Sequence, residues 1–376
     1  MPAAQAAFAN AIASHSIELD DVDHLALYHF SPPVMSAGLA VAEQVGATGE
    51  ELAVALVAGC DTMARASNAL NFSLRNRGYH STPVCGVFGA AVAAGKLMKL
   101  DAAQMVSALG LAGAQASGLM EMYGPSMQKR FNPGPAARNG VTAAEMARLG
   151  FTGTATIFEG DHGMARAFTD ENNLTALTEG LGSVFPLFFE YKPYSCARPI
   201  HNAIDCALAV RKELTEPLSA IRSITMRRHP TWTNYHQNAR PKTYHEAQVS
   251  LPYSFAIALR EGGALPPQYR NETLGDPEIL RISTMIKIEP DDSLPRGVSC
   301  LAIVETEGGK TYRAQVDYPR GSIENPMSKA DMDGKAHMLG DPVIGADNVT
   351  ALIDAVGRME ALPQASALAA LFGKRP

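Results

Sequence analysis

Gly78-Tyr79-His80-Ser81-Thr82-Pro83-Val84 opens the segment whose reading decides the fold, and Gln128-Lys129-Arg130-Phe131-Asn132-Pro133-Gly134-Pro135-Ala136-Ala137-Arg138-Asn139-Gly140 closes it. Each end places an ionisable side chain in a loop just before a helical run. His80 precedes residues 84–98, and Lys129 precedes residues 136–149. Helix N-termini present unpaired N–H groups and favour anions. A His and a Lys beside two such ends suit a carboxylate substrate.

Outward from that segment the chain reads as helix in both directions. Residues 3–17 are Ala-rich, and Ser31-Pro32-Pro33 starts a helix over 34–45. Thr48 with Glu51, and Asp101 with Gln104, are capping boxes opening helices to about residue 69 and over 105–119. These runs are thick with Ala, Gly and Ser, which lets helix axes approach closely. Apolar character almost all round marks central, buried helices. Gly86, Gly89 and Gly95 therefore read as packing positions. No strand and Gly-rich turn precede them, so they form no nucleotide fingerprint.

After Gly182 the texture changes. Residues 184–191 form a short aromatic strand candidate, 200–210 and 249–259 are helical, and 219–227, 285–289, 298–305 and 311–316 alternate as strands do. Glu307-Gly308-Gly309-Lys310 is the hairpin turn between the last two. Helices return over 328–339, 347–362 and 364–372. The fold expected is mainly α with an α+β insertion. A helical bundle built from both chain ends (1–186 and 327–376) carries a smaller α+β lid (187–326), and the cleft between them suits a ligand.

The bulk numbers exclude several classes. The 376 residues carry a net charge of −6, which argues against nucleic acid or anionic membrane as the main partner. No apolar run approaches the ~20 residues of a membrane span. Five cysteines without a CxxC pair point to a reduced, cytoplasmic setting. The N-terminus has no basic signal-peptide region and enters a helical pattern at once, as if the chain began inside a domain.

Several residues are candidates for chemistry. A lysine held against Met127 and Phe131 can have its pKa lowered enough for proton transfer, and a surface lysine is the bland alternative for Lys129. His80 is equally compatible with a capping or core role. Lys192 and Arg198 lie in a Pro-rich loop that opens a helix, suited to anion capture or simply solvated. Tyr253 is a proton donor or a core tyrosine. The acidic cluster Glu18-Leu19-Asp20-Asp21 reads most simply as a solvated turn. Asp21, His24 and His29 offer ligand types at spacings that match no zinc motif, so no metal is assigned. No nucleophile elbow or P-loop appears, and His, Lys, Tyr and Glu without a nucleophile motif point to proton transfer.

Taken together, the stretches 18–33, 78–95, 128–140, 158–168, 191–205 and 245–262 resemble the MmgE/PrpD family, which includes 2-methylcitrate dehydratase, iminodisuccinate epimerase and cis-aconitate decarboxylase. The resemblance runs in the family's order over nearly the whole chain. It implies the bundle-and-lid fold, a homodimer, a site between the domains and no cofactor. Residue by residue it implies that His80, Lys129, Tyr253, Lys192 and His29 line the pocket. Two departures stand out. The family's Asp-x-Asp-Asp followed by Thr or His is here Glu18-Leu19-Asp20-Asp21-Val22, and relatives carry additional N-terminal helices upstream. The activity expected is proton abstraction beside a carboxylate of a small di- or tricarboxylic acid, with His80 or Lys129 moving the proton and Tyr253 assisting. Lys192, Arg198, His29 and Glu18 would hold the substrate. Dehydration ranks first, epimerisation or isomerisation second and decarboxylation third, against a non-catalytic carboxylate-binding protein.

Overall fold

The computed structural model describes residues 1–23, 28–122, 126–295 and 297–372. Its centre is the helix Ser81–Leu97, in which every residue except Lys96 is buried. The small residues explain how a helix can be enclosed on all sides. A Cβ on Gly59 would stand 2.6 Å from the Gly89 carbonyl oxygen, and one on Gly140 would stand 2.5 Å from the Ala90 Cβ. The helices Gly49–Leu70 and Pro133–Arg148 therefore pack against Ser81–Leu97 at distances that larger side chains forbid.

Both capping boxes form, at Thr48/Glu51 and at Asp101/Gln104. The second opens a helix that runs only over Ala102–Gly113, shorter than its apolar pattern predicts. The chain leaves it so that Leu119 can bridge to Tyr79, with Met120 N donating to Gly78 O and His80 N to Gly118 O. Ser31–Met35 is a π-helical turn ahead of the helix Ser36–Val45. Lys129 is not in a loop. Its segment, Gln128–Phe131, is a helical turn that runs almost directly into Pro133–Arg148.

The second half builds its own core. Strands β3 (Ile221–Arg228), β4 (Ile286–Pro290), β5 (Cys300–Thr306) and β6 (Thr311–Val316) form a sheet of order β4-β3-β5-β6. Only the β3–β4 pair is parallel. The helices His201–Glu213 and Leu251–Glu261 contribute Ile204, Cys206, Phe255 and Leu259 to an apolar cluster with Ile224, Met226 and Val304 of the sheet. The helix Pro277–Met285, with Asp276 as its N-cap, escaped the sequence reading. Its nine residues are too few for a clear period.

The C-terminal helices return to the first core. Ala355, Ala365 and Leu368 share a cluster with Ala7, Val41 and Ala137, and Gly49 N donates to Leu362 O at 2.9 Å. One small ladder joins the halves elsewhere. β1 (Asp21–Asp23) pairs antiparallel with β2 (Phe189–Tyr191), so only three residues of the expected 184–191 strand are extended. Among the described residues no helix is long and apolar enough to cross a membrane. All five cysteines are buried and unpaired.

Candidate active site

The β1–β2 ladder sets two charged stretches side by side, and the cavity lies where it meets the central helix. One wall comes from the helical part: Glu18, Val22, His29, Arg75, His80 and Lys129. The facing wall comes from the α+β part: Lys192, Ala197, Arg198, Pro199, Trp232 and His236. The space between, open solvent included, is about 470 Å³.

Glu18 is the keystone. It has a positive φ of 54°, a conformation that non-glycine residues seldom adopt without compensation. The compensation is electrostatic. Lys129 Nζ donates to Glu18 Oε1, Lys192 Nζ donates to Oε2 at 3.0 Å, and Arg130 Nη2 lies 3.7 Å from Oε1. Burial alone would raise the Glu18 pKa, but Lys129, Lys192 and Arg130 together hold it well below the usual carboxylate range. The acidic cluster is thus an interior charge knot, and the solvated-turn reading is corrected. Three cations from distant segments offset the desolvation of the carboxylates.

Asp20 forms the second knot. His15 Nδ1 lies 2.7 Å and His29 Nδ1 3.1 Å from its Oδ2, while Lys192 Nζ is 3.1 Å from Oδ1. Its pKa too is well below normal, because Lys192, His29 and His15 outweigh burial. Asp21 points elsewhere. It accepts from the backbone N–H groups of Phe30 and Ser31 and so fixes the entry to the proline turn.

Identical side chains diverge here. Burial lowers the Lys129 pKa to about 8, with Glu18 opposing and Lys192 and Arg130 reinforcing the drop. Burial also works against the Lys192 ammonium, but Asp20 and Glu18 raise its pKa above the ordinary value. Lys129 can therefore exchange a proton near neutrality, while Lys192 is a fixed cation.

His80 occupies the position just before the helix Ser81–Leu97, and its side chain makes no capping hydrogen bond there. Asn132 Nδ2 lies 3.1 Å from His80 Nδ1 and can only donate, which leaves the imidazole proton on Nε2. Burial, reinforced by His15, His29 and Lys129, holds the His80 pKa well below its usual value. His80 is a neutral hydrogen-bond donor in this setting. His236 is also kept neutral, its pKa lowered to about 4 by burial and then by Arg228.

Arg198 is anchored by Glu190 at 2.8 Å and by the Arg320 carbonyl at 3.0 Å, and its Nη2 is buried without a partner. From the C-terminal helix Lys329–Ile344, Lys335 Nζ donates to the carbonyls of Leu19 at 2.5 Å and Lys192 at 2.9 Å, strapping the two charged stretches together.

Six of the seven residues singled out from the sequence, namely His80, Lys129, Lys192, Arg198, His29 and Glu18, border this one cavity. Tyr253 does not. It is fully buried in the core of the α+β part, with its hydroxyl beside Thr273. Ser250 caps its helix by accepting from Tyr253 N, which fixes that residue at the start of an inward-facing apolar stripe. Glu18 faces lysines, so its carboxylate clamps cations rather than offering itself to an anionic ligand. His15, His236, Trp232 and Lys335 were not read from the sequence, whereas Asp20 was read as part of the acidic cluster and does meet His29. For His15 a signal existed, since a histidine ends the first helix three residues before Glu18.

The metal reading changes as well. His24 lies outside the described residues, and the group that gathers is His15, Asp20 and His29, with one ligand atom each within 4.8 Å. The Lys192 ammonium already sits 3.1 Å from Asp20. A divalent cation there would meet that charge directly, so the trio is better described as a hydrogen-bonded cluster.

Comparison with known proteins covers nearly the whole chain. Residues 1–177 match the family model of the MmgE/PrpD N-terminal domain, and residues 194–360 match that of the MmgE/PrpD C-terminal domain. The chain is similar to the cis-aconitate decarboxylase of Homo sapiens, 27% identical over 99% of this chain and 80% of that protein. It is also similar to the cis-aconitate decarboxylase of Aspergillus terreus, 27% identical over 98% and 80%. A cis-aconitate decarboxylase-like protein of Aspergillus oryzae, oryM, is 28% identical over 98% and 82%.

Proposed function

The chain belongs to the MmgE/PrpD family, and from that premise we propose that it is a cofactor-independent lyase that moves one proton beside a carboxylate of a small di- or tricarboxylic acid. The observation that carries this reading is the pairing of Lys129 with His80 on a single cavity. Burial brings the Lys129 pKa down to about 8 there, and His80 is held neutral with its Nε2 proton available.

That inventory bears on which lyase reaction fits. Dehydration needs a base for the α-proton and an acid for the departing hydroxyl. A neutral imidazole is a poor acid, so Lys129 would have to serve both ends. Decarboxylation needs one proton donor. The bond to the departing carboxylate breaks, its electron pair passes to carbon, and the Lys129 ammonium delivers a proton to that carbon before regaining one from water. Arg198, Lys192 and the His80 Nε2–H would hold the remaining carboxylates and the developing negative charge. The pocket chemistry and the activity for which the relatives are named thus both favour decarboxylation over the dehydration ranked first from sequence. Epimerisation would need proton exchange on two faces, for which Tyr253 is too far away to help. We further propose that the protein acts as a homodimer, which its mass in solution will test.

The experiment is NMR of the purified protein in D₂O with cis-aconitate, citrate, 2-methylcitrate, malate and iminodisuccinate. Loss of CO₂ with one deuterium on carbon supports the decarboxylase reading. Loss of water without loss of carbon overturns that reading in favour of dehydration. Tight binding with neither turnover nor exchange for any acid would leave a carboxylate-binding protein.

A further inference from the structure

We propose that Trp232, the only tryptophan in the chain, is the size filter that sets how large a substituent the acid can carry. The inference rests on reading the inner cavity as the active site. Two further spaces adjoin that cavity. One, of about 860 Å³, has mostly apolar walls, Phe72, Pro199, Val298 and Tyr318 among them, with the charged Glu190, Arg198 and Glu324 also lining it. The other is a wider cleft of about 1400 Å³ that includes Arg75, Met120, Tyr235 and Val249. Among the described residues Trp232 alone borders all three spaces.

The indole is held as a partition, not as a free side chain. It sits on the turn Pro230–Thr233, whose proline fixes the first φ. Trp232 N donates to His229 O at 3.0 Å. The ring meets Tyr235 edge-on at 5.3 Å between centroids and stacks on His236 at 6.2 Å and 19°. Arg228 is fully buried and donates to the carbonyls of Trp232 at 3.0 Å and Pro199 at 2.7 Å. One guanidinium therefore fixes both apolar residues that divide the inner cavity from its 860 Å³ neighbour. The charged inner space accepts the carboxylate head. An alkyl branch on that head reaches the indole first, and the apolar room beyond is closed to it unless the ring is cut back.

The test compares wild type with Trp232→Phe and Trp232→Ala on one tricarboxylic head group bearing hydrogen, methyl, butyl or hexyl. The readouts are kcat and KM for each acid and calorimetric binding, with circular dichroism to establish folding. A wild type that disfavours butyl against methyl, a ratio moved at least ~10-fold toward butyl in Trp232→Ala, and an intermediate Trp232→Phe support the filter. An unchanged ratio in both folded variants, or a wild type that accepts hexyl as readily as methyl, overturns it. If wild type turns over none of the acids, the functional reading fails separately. Calorimetry on the same size series then decides the filter, because a partition shifts the binding cut-off in Trp232→Phe and Trp232→Ala whether or not chemistry follows. Binding with no size cut-off, or no binding of any acid, overturns it.

Discussion

The two walls of the cavity are built differently and do different things. The helical wall carries His29 together with Glu18, His80 and Lys129, and the protonation of those last three is set by burial and by the charges around them. The α+β wall contributes a fixed cation in Lys192, an anchored guanidinium in Arg198 and the rigid shapes of Pro199 and Trp232. Lys129 and Lys192 share a residue type and a partner, Glu18, yet one is tuned to exchange a proton and the other to stay charged. Asp20 makes the difference, since it touches Lys192 and not Lys129. What a residue type can do is decided here by the second carboxylate, not by the first.

The largest effect that would break this contrast is loss of the exchanging amine. Lys129→Ala should lower kcat about 10²–10⁴-fold with the fold retained, whereas wild-type kcat in that variant would remove Lys129 from the chemistry. Next is the clamp. Glu18→Gln leaves two buried ammonium groups with weaker partners and should cost roughly 3–5 kcal/mol of stability by chemical denaturation. It also removes the interaction that supports the Lys129 charge, so the Lys129 pKa should fall below about 8.

The pH profile sharpens the same point. If the ammonium form of Lys129 is the working acid, kcat is flat below about 8 and declines as pH rises through it. A working base gives the opposite limb. Glu18→Gln should move the inflection to lower pH in either case. Stability has its own acid window. His15 is buried and neutral, its pKa lowered to about 4, so between the ordinary histidine value and about 4 the unfolded chain binds the extra proton. Thermal stability should therefore decline as pH falls through that window, and depressed Glu18 and Asp20 add to the loss below the ordinary carboxylate range. A flat midpoint from pH 6.5 to 4 would contradict the buried histidine cluster. The smallest effect is at Tyr253. Tyr253→Phe should change kcat by less than about twofold, and a larger loss would mean that the α+β part rearranges to bring its hydroxyl to the cavity.

Local signals in the sequence determined most of the scaffold. Capping boxes at Thr48 and Asp101, the prolines at 32 and 33 and the Gly-Gly turn at 308 and 309 depend on neighbours in the chain, so they can be read from it. The small-residue helices could be recognised as central because enclosure requires small side chains. The motif residues His80, Lys129 and Lys192 could likewise be singled out, by loop position and by family pattern.

Tertiary structure alone decided what those residues meet. Nothing local says that Glu18 is buried, because its burial depends on cations 111 and 174 residues away. Nothing local separates Tyr253 from the cavity or brings His236 and Trp232 to it, since both outcomes follow from how the sheet and helices of the α+β part turn. Charge state follows the same rule. A pKa is set by desolvation and by partners within a few ångströms, and the chain acquires those partners only when its distant segments close around one space.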